Sequence, residues 1–148
     1  MKITIGNRHL KKTVEFLSGL ELSGKASRVR VKLNARLQGK LQDFSTEFQQ
    51  IKTKFDELKE QEEYEGLKEQ LRHMDELTAE DSIVDMTEYT HLLPALKDEL
   101  ENYPNTLQGD NAVAHDILLD ALEDNLPSSE ADTDADNNVE EAQYQEVK

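Results

Sequence analysis

The sequence predicts a mainly α-helical domain built on one long amphipathic helix. Apolar residues recur at intervals of three or four between positions 29 and 58, with no proline among them, which is the period of one helix face. Apolar residues are 36% of the chain, aromatic residues are 5% and Trp is absent, a composition that suits helices better than a β-sandwich. We therefore expect this helix to pack with three or four shorter helices. The periodic residues are Val29, Leu33, Leu37, Leu41, Phe44, Phe48, Ile51, Phe55 and Leu58.

Two short segments before and after the long helix have the alternation of β-strands. Lys2 to Ile5 alternates polar and apolar side chains, and Ile83 to Met86 is a second candidate. We expect a minor two-stranded element that pairs Ile3–Ile5 with Ile83–Met86. Between the first strand and the long helix, apolar spacing from Arg8 to Ser18 predicts a short helix.

Three further segments have helical spacing. Residues 64–74 resume the apolar pattern, either as the continuation of a bent long helix or as the second arm of a helical hairpin. Proline is best tolerated in a first helical turn, so a further helix begins near Pro94 or is kinked there. A final helix is predicted from Asp110, a candidate cap, to near Asn125.

The C-terminal residues are acidic and poor in apolar side chains. We predict one helical domain over residues 1–126 and a disordered acidic tail over 127–148, because such a segment buries too little surface to offset its ordering entropy. Within it, Asp132–Gln143 resembles the spacing of a calcium-binding EF-hand loop. Asn137 replaces the turn glycine and Gln143 the bidentate glutamate, so we favour a solvated tail and predict no metal site.

Charge is divided unevenly along the chain, whose formal net charge is −15. Up to Lys40 there are ten basic and two acidic residues, a balance of +8, and the remainder has seven basic and thirty acidic residues, a balance of −23. Basic residues spaced by three or four form a ridge on the long helix beside its apolar face. The residues assigned to partner binding are Lys25, Arg28, Arg30, Lys32, Arg36 and Lys40.

Three interpretations of these basic residues remain open. They contact an acidic protein surface, they contact nucleic acid phosphates, or acidic residues of the same chain neutralise them. Nucleic acid is not favoured, because no aromatic interleaving and no DNA-reading motif accompanies the charges.

Two more faces are candidate interaction surfaces. Asp116, Asp120 and Glu123 form an acidic face of the last helix, which fits a partner that normally binds nucleic acid. The apolar residues of the second half of the long helix approach the 3.5-residue repeat of a coiled coil, so we expect a homo-oligomer. This self-association stripe consists of Phe44, Phe48, Ile51, Phe55 and Leu58.

No catalytic constellation is recognisable in the sequence. His9, His73, His91 and His115 are far apart and none has metal-ligand spacing, and there is no Cys. We expect no catalytic residues, no metal, no cofactor and no enzymatic activity. No apolar run approaches 18 residues and no secretion leader is present, so we expect no membrane partner and a cytoplasmic protein.

The segment Val14–Leu33 has a distinctive pattern, in which an apolar Phe-Leu helix precedes Leu22-Ser-Gly-Lys-Ala-Ser-Arg-Val-Arg-Val-Lys-Leu. It resembles the opening of a family of small tailed-phage and prophage proteins of Gram-positive bacteria, catalogued only as a domain of unknown function. Leu107–Ala112 and Leu118–Glu123 are similar to its closing helix. The resemblance spans roughly residues 5–124 and implies a phage or prophage origin, in the host cytoplasm or associated with the virion, with no established activity to carry over.

We expect a non-enzymatic, phage-type accessory protein that binds another protein through its helical surfaces. One version is an acidic inhibitor of a host nucleic-acid-handling or defence machine. The alternative is a virion, tail-associated or scaffold-like assembly protein, and the third hypothesis is nucleic-acid binding through the basic helix face.

Overall fold

A computed structural model describes residues 1–124 and confirms the predicted fold class, with 77% helix, five α-helices and a small two-stranded sheet. The predicted acidic tail and its EF-hand-like segment lie outside the described residues. Two 3-10 turns, Asn7–His9 and Thr87–Leu92, complete the fold. The elements are β1 (Lys2–Gly6), α1 (Leu10–Gly19), α2 (Gly24–Glu60), α3 (Tyr64–Ala79), β2 (Asp81–Asp85), α4 (Leu93–Glu101) and α5 (Asp110–Glu123).

The predicted long helix is α2, which has 37 residues. Ser23 has an extended backbone and precedes the helix. The first half of the apolar face enters the core, where Val29, Leu33 and Leu37 are fully buried against α1 and α4. Beyond Leu41 the side chains of this face are mostly half-buried. The N-terminal half of α2 is thus a core helix, and its C-terminal half packs chiefly on α3.

The chain reverses direction between α2 and α3. Of the two predicted arrangements, the structure therefore has the helical hairpin and not the bent helix. The Glu63 N–H donates to Leu58 O (3.0 Å) and the Glu62 N–H to Lys59 O (3.2 Å). These two bonds are those of a Schellman motif, which pairs the last carbonyls of a helix and places the residue after it in the left-handed region. That residue is Glu62, with φ 57°, where glycine is usual.

Glu62→Gly is expected to raise the free energy of unfolding by about 0.5 to 1 kcal/mol, because glycine adopts this φ without the steric cost that a Cβ brings. Urea denaturation followed by circular dichroism measures the change. Glu65→Gly, in the first turn of α3, is the control and should lower the stability. A destabilised Glu62→Gly variant would contradict the turn geometry.

The two arms of the hairpin are in close contact at Gly66. A Cβ at this position would lie 2.7 Å from Cδ1 and 3.3 Å from Cδ2 of Leu58, which is buried. Real Cβ atoms do not approach other carbons this closely, so the Leu58 side chain would have to move. The absence of a side chain at Gly66 therefore allows Leu58 to fill the space between α2 and α3.

Gly66→Ala is expected to lower the free energy of unfolding by about 1 kcal/mol through this overpacking. In a Leu58→Ala background the same change should instead be stabilising by up to about 1 kcal/mol, since the space is vacant and alanine favours the helix. Gly39→Ala is the matched control, because nothing lies within 4 Å of its added Cβ. Equal effects of Gly66→Ala in both backgrounds, measured by urea denaturation, would refute the contact.

The two strands pair, as predicted, and the structure shows that the pairing is antiparallel, with Ile3 opposite Val84 and Ile5 opposite Ser82. The second strand begins at Asp81, two residues before the predicted start, and ends at Asp85. Ile3, Ile5 and Val84 face the core. The sheet therefore has one buried face.

Asn7 connects the sheet to α3. Its Nδ2 donates to Leu77 O (2.8 Å), its Oδ1 accepts a hydrogen bond from the Ser82 hydroxyl, and its backbone N–H donates to Glu80 O (2.9 Å). The side chain is buried. One residue thus holds the end of β1, the last turn of α3 and the start of β2 together.

The last two helices close the core. Pro94 lies in the first turn of α4, as predicted. α5 packs on α1, where the Phe16 and His115 rings are nearly perpendicular with their centres 6.1 Å apart, and His115 Nε2 lies 2.6 Å from Leu100 O. Gly109, not Asp110, is the residue before α5, and its φ of 63° places it in the region that favours glycine.

Candidate functional site

Five of the six predicted basic residues follow one side of α2. Lys25, Arg28 and Lys32 are exposed, and Arg36 and Lys40 are half-buried. Lys25 to Lys40 spans about 22 Å at the helical rise of about 1.5 Å per residue. We call these five residues the basic ridge.

No residue of the basic ridge has an ion-pair partner within residues 1–124. The ion pairs of this region involve Lys12, Lys52, Arg72, His73 and Lys97. Acidic side chains do lie near Lys40, where Asp43, Glu47, Glu80 and Asp81 line a small cleft, but none comes within 4.0 Å of its Nζ. Self-neutralisation by the described acidic residues is therefore not seen.

The sixth basic residue, Arg30, does not lie with the others. Arg30 follows Arg28 by two residues, which corresponds to a rotation of about 200° around the helix axis. Its side chain therefore points toward α1. Its Nη1 donates to Leu17 O at 3.0 Å, where α1 ends. The same carbonyl also accepts the Leu20 N–H (3.3 Å), so Arg30 adds a second hydrogen bond at the C-terminal end of α1.

Tyr89, in the 3-10 turn Thr87–Leu92, holds the middle of the basic ridge. Lys32 Nζ is 5.8 Å and the Arg36 guanidinium 5.2 Å from the centre of its ring. Both distances are within the range of cation–π attraction. The half-buried ring thus fixes two cations beside β2.

Tyr89→Leu is expected to lower the free energy of unfolding by about 1 kcal/mol, because it removes both cation–π contacts while keeping an apolar side chain. Urea denaturation gives the value. Tyr64→Leu is the control, since Tyr64 is 67% exposed and should change little. Equal values for the two variants would show that the ring contacts contribute nothing.

A groove of about 510 Å³ separates the basic ridge from β2. Arg36 and Lys40 form its helical wall, and the 49% exposed side chain of Ile83 contributes an apolar surface. Its remaining lining residues are Val84, Asp85, Thr87 and Glu88.

The Asp85 carboxylate is already engaged. It accepts hydrogen bonds from the N–H and the hydroxyl of Thr87, which hold the pKa of this carboxyl below its usual value, and the N-terminal ammonium and Lys2 add to the effect. Arg36 and Lys40, on the helical wall, have no ion-pair partner among the described residues.

The predicted acidic face lies on α5, where Asp116, Asp120 and Glu123 are exposed. Their spacing of four and three residues places them on one side of the helix. No ion pair involves them among the described residues. The acidic face and the basic ridge are therefore carried by different helices.

The predicted self-association stripe lies along the arm of α2 that packs on α3. Phe44, Phe48, Ile51 and Phe55 are half-buried, and Leu58 is buried within the hairpin. The Phe44 and Phe48 rings are 5.9 Å apart. The exposed large apolar side chains of the described region lie elsewhere, at Val31, Tyr64, Leu71, Ile83 and Val113.

Residues 1–124 contain no group of three or more histidine, aspartate or glutamate side chains placed to hold a metal ion. None of the helices in this part of the chain combines the length and apolarity needed to cross a membrane.

Comparison with known proteins finds no match to a protein-family model, to a curated protein or to a solved structure.

Sequence reasoning found the basic ridge but missed Tyr89, Ile83 and Thr87 as parts of the site. Nothing in the local sequence marks them, because they reach the ridge only when β2 and the following turn pack on α2.

Proposed function

We propose that this protein is a non-enzymatic, phage-type accessory factor that binds an acidic surface of another protein through the basic ridge of α2. The observation that carries the proposal is the set of five basic side chains without an ion-pair partner among residues 1–124. In a chain of net charge −15, such a surface attracts an anionic partner locally while the rest of the molecule repels it.

A protein partner is favoured over nucleic acid for two reasons. The net negative charge opposes approach to a phosphate backbone, whose binding relies on long-range attraction. The Tyr89 ring at the basic ridge already contacts Lys32 and Arg36 and is not free to stack on bases. The acidic face of α5 supports a partner with a basic region of its own, as an inhibitor of a nucleic-acid-handling machine requires.

Capture from a bacterial host lysate tests the proposal. The immobilised full-length protein is compared with a Lys25→Gln/Arg28→Gln variant, which removes two exposed charges and keeps helix propensity. Lys54→Gln/Lys59→Gln is the matched control, with the same change in charge on the same helix. We expect the basic-ridge variant to retain about tenfold less of a specific host protein, which corresponds to about 1.4 kcal/mol.

Two results would overturn the proposal. One is equal retention by the basic-ridge variant and its control. The other is a gel shift of DNA or RNA at low salt that is lost in the basic-ridge variant alone, which would assign the surface to nucleic acid.

A further inference from the structure

We propose that the outer edge of β2 binds an extended, acidic segment of the protein partner, which adds to the sheet as a third strand beside Arg36 and Lys40. The inference rests on the proposed function and specifies how the partner is bound. Strand addition to an exposed sheet edge is a general mode of peptide recognition, in which main-chain hydrogen bonds give affinity and side-chain contacts give specificity.

The first observation is the unpaired edge itself. In an antiparallel pair, alternate residues bond the neighbouring strand, and the residues between them direct their N–H and C=O groups outward. Counting from the bond that Asn7 N–H donates to Glu80 O, Ile83 and Asp85 fall between the bonded pairs. Their main-chain groups therefore point away from β1, and no group within residues 1–124 bonds them.

The second observation is that the groove follows this edge. Ile83, Val84 and Asp85 are consecutive, and their side chains alternate between the two faces of the sheet, yet all three line the groove. No residue of β1 lines it. The groove thus runs along the side of β2 that faces away from β1, and its volume of about 510 Å³ lies in the range of peptide and small-ligand sites.

The third observation is the charge of the opposite wall. Arg36 and Lys40 face the groove and have no ion-pair partner within residues 1–124, and Tyr89 holds the Arg36 guanidinium in position. Asp85 is engaged by Thr87, which leaves Glu88 as the one free carboxylate among the groove-lining residues. Carboxylates on an added strand would meet two cations.

An acidic peptide segment fits better than the other occupants of such an edge. Nucleic acid has no main-chain N–H and C=O groups to extend a sheet. Antiparallel pairing with β2 of a second copy, centred on Ile83, would place Asp81 of each chain opposite Asp85 of the other, and like charges at that distance are destabilising.

Hydrogen exchange of the edge amides tests the proposal in the full-length protein by nuclear magnetic resonance. The probe is an eight-residue synthetic peptide that alternates glutamate with valine, and the counter-probe has lysine in place of glutamate. At a peptide concentration ten times the dissociation constant, exchange at Ile83 and Asp85 should slow by about tenfold, because about one site in ten stays free. The outward amide of Thr4, on the opposite edge of the sheet, should not change.

Two variants and one control variant separate strand addition from simple charge attraction. Ile83→Pro removes an outward N–H, a change that edge strands tolerate, and should abolish protection of Asp85. Thr4→Pro makes the same change on the opposite edge and should leave binding intact. Arg36→Gln/Lys40→Gln keeps the main chain and should weaken binding of the glutamate peptide about tenfold, so the test does not depend on the proline variants folding.

Several results would overturn the inference. These are equal protection by the lysine peptide, unchanged binding to both Ile83→Pro and Arg36→Gln/Lys40→Gln, or no protection by the glutamate peptide. Protection of Ile83 and Asp85 without any peptide would also overturn the inference. Protection that grows with protein concentration would assign the edge to a second copy, and protection that does not would assign it to this chain's own acidic residues. Retention of a lysate protein through Lys25 and Arg28 would survive each of these results, so the two proposals fail separately.

Discussion

Leu37→Ala is expected to lower the free energy of unfolding by about 2 to 5 kcal/mol, the range for removing a fully buried leucine side chain. Leu37 is 0% exposed and belongs to the cluster that joins α2 to α1, α4 and α5. The substitution removes apolar contact and leaves a cavity that rigid helices on several sides cannot close. Because domains of this size have a total stability of about 5 to 15 kcal/mol, the variant should unfold at markedly lower urea concentration.

Leu71→Ala provides the control, with the same chemical change at a side chain that is 48% exposed. It should cost less than about 1 kcal/mol. Both values come from urea denaturation followed by circular dichroism. A loss at Leu37 as small as the loss at Leu71 would mean that α2 does not pack against the other helices as described.

Asn7→Ala is expected to cost about 2 to 4 kcal/mol, since it removes two side-chain hydrogen bonds and leaves Leu77 O and the Ser82 hydroxyl without their partner. The effect should exceed that of an ordinary polar substitution because the side chain is buried and connects three elements. Thermal and urea denaturation measure it.

Ser82→Ala isolates one of these two bonds and should cost about 1 kcal/mol. Asn105→Ala, at an exposed asparagine, should be nearly neutral. If Asn7→Ala cost no more than Asn105→Ala, the junction of β1, α3 and β2 would not contribute to stability.

Local periodicity was sufficient to predict α2 and the two strands, and the preference of proline for a first helical turn gave the start of α4 near Pro94 as one of two alternatives. It was not sufficient to decide between a bent helix and a hairpin. The turn that makes the hairpin places Glu62 at a positive φ, where glycine or asparagine is the usual signal. Gly66, one turn later, has no side chain, and this admits Leu58 between the two helices.

The part of the candidate site that lies on α2 alone, the basic ridge, could be predicted from the sequence. The groove, which needs both α2 and β2, could not. The spacing of Lys25, Arg28, Lys32, Arg36 and Lys40 is a property of α2 alone, and the structure keeps these residues on one side. Arg30 had been included for its charge although its spacing differs, and it contacts α1.

The groove requires β2 to lie beside α2. That arrangement follows from packing between segments more than 40 residues apart, which no local pattern encodes. The free edge of β2 could not be predicted from local patterns either, because it depends on which residues of β2 form hydrogen bonds with β1.

The pairing of β1 with β2 also has a consequence for the order of assembly during synthesis. Asn7 and Ser82 are 75 residues apart in sequence, so the first strand of the nascent chain has no partner until both arms of the α2–α3 hairpin have been made. At about 5 to 20 residues per second, the ribosome needs roughly 4 to 16 s to supply that partner. During this interval the apolar side chains of Ile3 and Ile5 have no sheet to join, so β1 docks only after the α2–α3 hairpin has been made.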